Sequence, residues 1–271
     1  MQLNSNSLRL LLKKIKPQNF NVIIAFSGWP DANQAATYSA KYIINNFKMK
    51  KIKEINLEGF YNFSLNRPIV NIEQGLIKEY NLPKNELYAL NSEKDSNLLI
   101  LIGDEPHINW FTYVNIFLQA FSKAKFICLL GSLIDKIPHT VEPLISGVAT
   151  TIELINKMKE NKVKPVNYIG PSSIHSLFLN ECSKRKISAV SIWAHTQEYI
   201  DEVDFRAAYK LLQVINNMLN LNIELSKVKL EENKLQKRLN EMMSKNRYFS
   251  EFVHQLELEY KLSKKEPEYI A

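Results

Sequence analysis

The sequence predicts an α/β protein with a mainly parallel sheet that is covered by helices on both faces. Short apolar runs that end at or near glycine indicate buried strands, and helix-period segments separate most of these runs. Strands that alternate with helices in this way are typical of a parallel sheet between two helical layers. The predicted strands lie near residues 21–27, 52–58, 97–103, 125–131, 166–170 and 187–193.

The predicted helices follow these strands along the chain. They lie near residues 32–47, 109–123, 146–161, 173–185 and 205–220. Residues 59–96 break the alternation, because they hold Pro68, Gly75 and Pro83, and they predict irregular or short β structure.

Glycines and histidines collect where the apolar runs end. Five of the seven glycines end such a run, and four of the five histidines follow within a few residues. Gly28, Gly103, Gly131 and Gly170 are expected to mark the carboxyl ends of strands, where ligands bind in open α/β sheets. The sequence therefore predicts a crevice at this edge. Its candidate residues are Asp31, Asp104, Glu105, His107, Trp110, His139, Ser172, His175, His195 and Tyr199.

Each candidate also has a structural interpretation. Asp31 is placed to cap the first helix, since a carboxylate accepts unpaired backbone N–H groups. The cluster at residues 103–107 could perform acid–base chemistry or form a polar turn. The helix that begins at Ser172 or Ser173 could bind an anion at its N-terminus.

The C-terminal part of the chain predicts long helices. After Pro171 there is no glycine or proline until Pro267, and apolar residues recur at alternating steps of three and four. The series is Leu211, Val214, Met218, Leu221, Leu225, Val228, Glu232, Leu235, Leu239 and Met242. One or two helices are expected, with a break near residues 216–222, as a helical hairpin or a subunit contact. We predict an α/β/α body over residues 1–204 and a helical region over 205–271.

Composition limits the classes of partner and the compartment. Lys and Arg exceed Asp and Glu by 35 to 28, a formal charge of +7, but the basic residues are scattered and form no long run. This predicts no specific nucleic-acid site. Signal-peptide and membrane-spanning patterns are absent, so no membrane association is expected. Cys128 and Cys182 predict buried free thiols in a reducing compartment, which favours the cytoplasm.

The motifs of several common enzymes are missing. The chain contains no G-x-G-x-x-G, G-x-x-x-x-G-K-[ST], G-x-S-x-G or H-x-x-x-H motif and no C-x-x-C pair. No nucleophile–base pair is recognisable either. The sequence thus predicts no cofactor and no metal, and it favours a protein that is not an enzyme.

Six segments carry a further signal, at residues 26–33, 60–70, 98–110, 129–140, 168–175 and 191–199, which together cover roughly residues 20–220. In their sequence and order they resemble the proteasome assembly chaperone 2 family, in its prokaryotic branch. The resemblance implies a three-layer α/β/α body similar to nucleoside-phosphorylase folds, and self-association as a homo-oligomer, a trimer or higher. Eukaryotic and archaeal relatives help to assemble proteasome rings, so the resemblance also implies a protein partner.

Two positions depart from the family's pattern. The family's Pro-His-Thr usually continues with Arg-Pro, whereas Val141 and Glu142 follow Thr140 here, which disfavours anion binding. Relatives that dock on proteasomes end in a hydrophobic residue, Tyr and any residue. This chain ends in Tyr269-Ile270-Ala271, with the tyrosine one place earlier.

Two functions follow from the sequence. The first is a non-enzymatic assembly-chaperone-like or interaction protein. The alternative is a small-molecule-binding protein or enzyme that uses the histidine and carboxylate crevice. A ligand bound in the crevice would favour the alternative, and a crevice filled by the tryptophans would favour the first.

Overall fold

The computed structural model describes residues 20–56, 59–90 and 98–263. Ten strands and seven α-helices lie within these ranges. In chain order they are β1 (Phe20–Ser27), α1 (Ala35–Asn46), β2 (Lys50–Asn56), β3 (Ile69–Glu73), β4 (Leu76–Asn81), β5 (Lys84–Leu90), β6 (Leu98–Asp104), α2 (Trp110–Ala120), β7 (Ala124–Ile134), β8 (Ile145–Ala149), α3 (Ile152–Glu160), β9 (Lys164–Pro165), α4 (Ile174–Lys184), β10 (Ala189–Thr196), α5 (Phe205–Leu219), α6 (Ser226–Lys245) and α7 (Arg247–Ser263).

Eight strands form one sheet in the order β2-β5-β6-β1-β7-β10-β8-β9. The four central strands β6, β1, β7 and β10 are parallel. On one side β5 pairs antiparallel with β6, and β2 pairs antiparallel with β5 and so runs in the direction of the central strands. On the other side β8 pairs antiparallel with β10, and β9 is parallel to β8. The mainly parallel sheet predicted from the sequence is confirmed.

Helices cover both faces of this sheet. Alternate residues of β1 show the layers: Ile23 and Ala25 belong to the core under α1 and α5, whereas Val22 and Ile24 belong to the core under α2 and α4. A central strand that is buried on both faces must be apolar at successive positions, which is why β1 is a near-continuous apolar run. The three-layer α/β/α body is therefore confirmed.

Residues 146–149 were expected at the start of a helix but belong to strand β8. Gly147 explains the close packing here, because a Cβ on it would lie 2.9 Å from the Ser191 carbonyl oxygen and 3.0 Å from Met158 Sδ. Helix α3 begins only after Thr151, whose side chain accepts a hydrogen bond from Leu154 N at 3.3 Å. A glycine inside this apolar run therefore indicates a strand that another backbone approaches closely, and not the start of a helix.

The strand predicted at residues 166–170 is wrong. Only β9 pairs with β8 here, the residues that follow have no strand structure, and Ile169 is fully exposed. Gly170 consequently marks no strand end. Gly131 also lies inside β7 rather than at its end. A Cβ on Gly131 would lie 2.6 Å from the Trp193 ring, so close packing requires glycine there.

The irregular region after β2 contains a separate β-hairpin. β3 and β4 pair with each other in their own two-stranded sheet, and β5 then joins the main sheet. Short β structure was expected here, but the entry of β5 into the main sheet was not. Residues 57–58 and 91–97, and with them Asn97 of the predicted third strand, lie outside the described ranges.

The C-terminal apolar series packs within the chain as a helical hairpin. Its members in α5 and α6 are buried except for Glu232 and the exposed Met242. The break falls at residues 220–225, close to the expected position, because Asn220 adopts a left-handed conformation and Asn216 Oδ1 accepts a hydrogen bond from Ile223 N. The division of the chain at residue 204 stays a prediction.

No helix among the described residues is both long enough and apolar enough to span a lipid bilayer. Tyr269-Ile270-Ala271 lies outside the described ranges.

Candidate functional site

The carboxyl ends of β1, β6, β7 and β10 meet at one edge of the sheet, because these strands are parallel. His195 lies near the end of β10, opposite Leu133 of β7. His139 lies in the loop that follows β7, with Nδ1 3.0 Å from the hydroxyl of Tyr199, which follows β10. The two histidines therefore lie at the same edge, as the crevice prediction requires.

Asp31 holds the beginning of α1. Its Oδ1 accepts hydrogen bonds from the backbone N–H groups of Ala36 and Thr37, both at 3.0 Å, and its Oδ2 accepts one from the Thr37 hydroxyl. Burial raises the pKa of Asp31, although the hydrogen bonds from Thr37 and Ala36 act in the opposite direction. The carboxylate therefore serves as a helix cap.

Glu105 performs a similar task at α4. Its Oε1 accepts a hydrogen bond from Ile174 N at 2.9 Å, and Ser173 Oγ accepts one from His175 N at 3.2 Å. Burial raises the pKa of Glu105, against the effect of the Ile174 hydrogen bond. Ser173 is thus the cap of this helix, and Ser172 is exposed.

Asp104 ties β6 to β1 and β5. Its side chain accepts hydrogen bonds from Ser27 Oγ at 2.7 Å and from Lys84 N at 3.1 Å. A cavity of about 490 Å³ opens beside it, and its charged lining consists of Asp104, Glu86, Lys41 and Lys84. Two cations and two anions balance, so electrostatics favours neither an anionic nor a cationic ligand.

His107 and Trp110 organise the loop before α2. His107 Nδ1 accepts a hydrogen bond from Asn62 N at 3.2 Å, and its ring contacts Tyr61 edge-on. Trp110 Nε1 donates to the Pro106 carbonyl oxygen. Both side chains therefore close the loop locally.

His175, in the first turn of α4, is buried against the sheet. Its ring contacts Trp193 with centroids 5.0 Å apart, and its Nδ1 lies 3.0 Å from Ser191 Oγ, which also accepts a hydrogen bond from Trp193 Nε1. Its Nε2 is buried without a partner among the described residues. Burial lowers the pKa of His175 to about 3, so the ring is neutral at physiological pH. The exposed Trp29 packs edge-on against Trp193.

His195 joins three segments in a hydrogen-bonded row that sequence analysis did not find. Its Nε2 lies 2.7 Å from Ser146 Oγ, and its Nδ1 lies 2.6 Å from Asp135 Oδ2. Burial acts to raise the pKa of Asp135, but the hydrogen bond and the charge of His195 outweigh it and leave the pKa below its usual value. The order Ser-His-Asp is that of a nucleophile, its base and an orienting acid. Ser146, however, is only 3% exposed inside β8, and an attacking hydroxyl needs room for a substrate.

His139 is covered by the C-terminal helix α7. Its ring stacks on Phe249 with an interplanar angle of 8°, and Tyr199 packs edge-on against the same phenylalanine. Burial, together with the nearby Arg206, lowers the pKa of His139 to about 4. Thr140 Oγ1 donates a hydrogen bond to Glu257 of α7. Helix α7 thus packs against the segment 138–140.

The predicted site residues form three separate groups along the edge rather than one open crevice. Asp104 and His107 lie beside β5 and β6, Glu105 and His175 lie at the start of α4, and His139, His195 and Tyr199 lie between β10 and the C-terminal helices. Within the described ranges, no group of three His, Cys, Asp or Glu side chains is placed to hold a metal ion. The arrangement holds helix ends and loops in place.

The family of the protein follows from its sequence as a whole. The model of the PAC2 family matches residues 25–243. The chain belongs to the PAC2 family. This confirms the resemblance that the six segments indicated. No curated protein matches this PAC2 protein.

Solved structures share the fold of this PAC2 protein. A proteasome-assembly chaperone homologue of Mycobacterium tuberculosis has a TM-score of 0.78 at 24% identity, with 86% of this chain and 100% of that chain covered. A PAC2 family protein of Streptomyces avermitilis has a TM-score of 0.76 at 24% identity, covering 87% and 100%. An archaeal proteasome activator of Pyrococcus furiosus has a TM-score of 0.64 at 19% identity, covering 83% and 95%. At these identities the likeness shows the fold.

Proposed function

We propose that this PAC2 protein is a non-enzymatic interaction protein of the assembly-chaperone type. It acts in the cytoplasm as a homo-oligomer, a trimer or higher, and binds a protein partner that is a subunit of a larger complex. Family membership carries the proposal, because the match spans most of the chain and one structural neighbour is named a proteasome-assembly chaperone homologue.

The state of the polar groups at the sheet edge supports this function over catalysis. Asp31 and Glu105 hold helix ends, and His139 and His175 are buried neutral rings that pack against aromatic side chains. A catalytic group must be aimed at a reacting atom that can reach it. Side chains that are already committed to internal hydrogen bonds and ring contacts fit a scaffold better.

The exposed apolar side chains support a macromolecular partner. Trp29 is 62% exposed, Phe111 is 65% exposed and Ile169 is fully exposed. Single exposed apolar residues are common, but large aromatic ones are enriched where proteins bind one another.

Capture followed by reconstitution tests this function. The tagged chain is expressed in its source cell, purified under mild conditions, and its partners are identified by mass spectrometry against a tagged unrelated protein of similar charge. We expect a subunit of a multi-subunit complex, which assembles faster in vitro when the chain is added. Assembly at the same rate with and without the chain would contradict the proposal.

A ligand screen gives the opposing test. Nucleotides, nucleosides, phosphate and divalent metals are added to the protein, and its melting temperature is followed. We expect no stabilisation. Strong stabilisation by one compound that disappears in His139→Ala or His195→Ala would establish the small-molecule function instead.

A further inference from the structure

A groove of about 350 Å³ lies between helix α6 and the loop that follows β10. Its apolar lining consists of Ile200, Leu235 and Leu239, which are buried, and Met242, which is 46% exposed. A concave site of this size with an apolar lining is typical of binding sites in proteins. We call it the α6 groove.

Acidic side chains border the α6 groove. Glu198, Asp201 and Glu202 belong to its lining, and all three are exposed. Glu202 forms an ion pair with Arg238, with 2.6 Å between Oε1 and the guanidinium nitrogen. Among the residues that the structure describes, Glu198 and Asp201 have no ion pair. The groove therefore keeps two uncompensated negative charges in a chain whose formal charge is +7.

Residues 8–16 of the same chain have the complementary chemistry, and we call them the basic segment. Leu8, Leu11, Leu12 and Ile15 have the spacing of the apolar face of an amphipathic helix. Residues 1–19 contain no Asp or Glu, and their four cations are Arg9, Lys13, Lys14 and Lys16. Amphipathic segments bind apolar grooves, and opposite charges at the border select the partner. These residues lie outside the described ranges, so their sequence alone enters here.

The basic segment cannot reach the α6 groove of its own chain. It precedes Phe20, where β1 begins at the amino edge of the parallel strands, whereas the groove follows Thr196 at the carboxyl edge. The eight residues of β1 alone separate these edges by about 25 Å. Ile15 is five positions before Phe20, which spans at most about 18 Å of extended chain. A groove that this segment fills must belong to another copy.

We propose that the α6 groove binds the basic segment of a second copy of this chain. The inference rests on the proposed homo-oligomeric function and names the contact that makes the oligomer. Each copy donates its segment at one edge of the sheet and receives a neighbour's segment at the opposite edge. Such a head-to-tail contact is heterologous, and copies joined in this way close into rings. It therefore fits the proposed trimer or higher oligomer.

A charge exchange tests the contact by sedimentation velocity and light scattering. The segment variant is Arg9→Glu with Lys16→Glu, and the groove variant is Glu198→Lys with Asp201→Lys. Each places like charges opposite one another, so we expect both to sediment as single chains while the wild type keeps the mass of a closed oligomer. A chain that carries all four substitutions restores opposite charges, and we expect it to recover the oligomer.

Matched controls carry the same changes of charge at exposed positions elsewhere. Lys50→Glu with Lys53→Glu on β2 matches the segment variant, and Glu73→Lys with Glu79→Lys on the β3–β4 hairpin matches the groove variant. We expect both controls to keep the oligomer. Circular dichroism and the melting temperature should be the same for all chains, because every substituted residue in the described ranges is exposed.

The inference is overturned if the segment variant or the groove variant keeps the wild-type mass, if a control loses it, or if the fourfold variant stays monomeric. In these cases an oligomeric wild type still agrees with the proposed function. A monomeric wild type over the whole concentration range would contradict both the contact and the proposed homo-oligomer. A wild type that oligomerises through this contact but captures no partner contradicts only the proposed function.

Cross-linking separates a contact between copies from one within a chain. The native Cys128 and Cys182 are buried, so introduced cysteines supply the accessible thiols. With a bis-maleimide, a chain carrying Lys13→Cys and Met242→Cys should give a ladder of covalent oligomers on a denaturing gel. The control pairs Lys13→Cys with Leu230→Cys, at an exposed leucine of α6 that does not line the groove, and should give far less. Equal ladders, or a product cross-linked only within single chains, would overturn the inference.

Vesicles of anionic phospholipid test the competing use of the basic segment, since basic amphipathic segments also bind such surfaces. We expect the wild-type oligomer not to co-sediment with these vesicles at physiological salt. Co-sedimentation that Arg9→Glu with Lys16→Glu abolishes, with the same mass in solution for both chains, would assign the segment to a membrane surface and overturn the inference.

Discussion

The buried histidines show what single residues contribute at this sheet edge. His175 is 1% exposed, and burial lowers its pKa to about 3, so the folded chain keeps it neutral over the whole physiological range. In an unfolded chain the same ring takes up a proton near its ordinary pKa of 6.5. Between these two values the unfolded state binds more protons, and stability must fall as the pH falls.

We therefore expect His175→Gln to flatten the pH dependence of stability below neutral pH. The wild-type histidine should cost about 2 kcal/mol of unfolding free energy between about pH 6.5 and about pH 5, at about 1.4 kcal/mol per unit. The raised pKa values of Asp31 and Glu105 act in the opposite sense, but they are common to both chains and cancel in the difference. Urea unfolding at several pH values measures the difference in unfolding free energy between the wild type and the variant. Above about pH 7 the curves should be parallel, and parallel curves below that pH would contradict the prediction.

Asp31 gives a second prediction at the residue scale. Asp31→Ala leaves the N–H groups of Ala36 and Thr37 and the Thr37 hydroxyl without their acceptor. The loss of a helix cap costs about 1–2 kcal/mol of unfolding free energy. Asp31→Asn should cost less, because the amide oxygen still accepts. Asp201→Ala at an exposed position is the control, and an equal loss in the control would refute the capping role.

At the scale of elements, buried leucines hold helix α6 against the loop that follows β10. Leu239 is 3% exposed and packs with Leu235 and Ile200. We expect Leu239→Ala to lower the unfolding free energy by about 3 kcal/mol, since a cavity replaces the side chain. Leu230→Ala on the same helix, where the leucine is 55% exposed, should change it by less than about 0.5 kcal/mol. Chemical denaturation compares the two variants. Similar losses of unfolding free energy would mean that the buried leucines do not hold α6 in place.

The strands also show when the local sequence pattern is sufficient to predict a secondary-structure element. Runs such as β1 are recognisable because burial on both faces demands apolar residues at every position. β8 could not be recognised in the same way, because its five residues pair with β10, some forty positions away, and the local pattern resembled the start of a helix. The run before Gly170 failed for the opposite reason. It is apolar but lies between Pro165 and Pro171, and no neighbouring strand pairs with it.

The site shows the same limit more clearly. Asp31 and Glu105 could be placed at the correct edge, since strand ends follow from the apolar runs. The hydrogen bond between Ser146 and His195 could not be predicted, because it joins residues 49 positions apart through the pairing of β8 with β10. The stacking of His139 on Phe249 could not be predicted either, since it depends on where α7 packs.

For the whole molecule, we expect backbone amides to exchange with solvent in a definite order. The central strands β6, β1, β7 and β10 lie under helices on both faces and should exchange last, through global unfolding. Amides of β3 and β4, which have their main contacts with each other, should exchange much faster. Hydrogen exchange with mass spectrometry compares the two sets of amides. Hairpin amides that exchange as slowly as those of the central strands would contradict this order.

The two outer strands of the main sheet limit how the molecule can aggregate. β2 carries Lys50, Lys51 and Lys53 along one edge, and β9 ends the other edge after two residues, the second of them a proline without an N–H donor. Charged side chains, short length and proline each oppose the addition of a foreign strand. Growth into an open fibre through these edges is therefore disfavoured. Crowded preparations of the protein should remain as discrete, closed particles of fixed size.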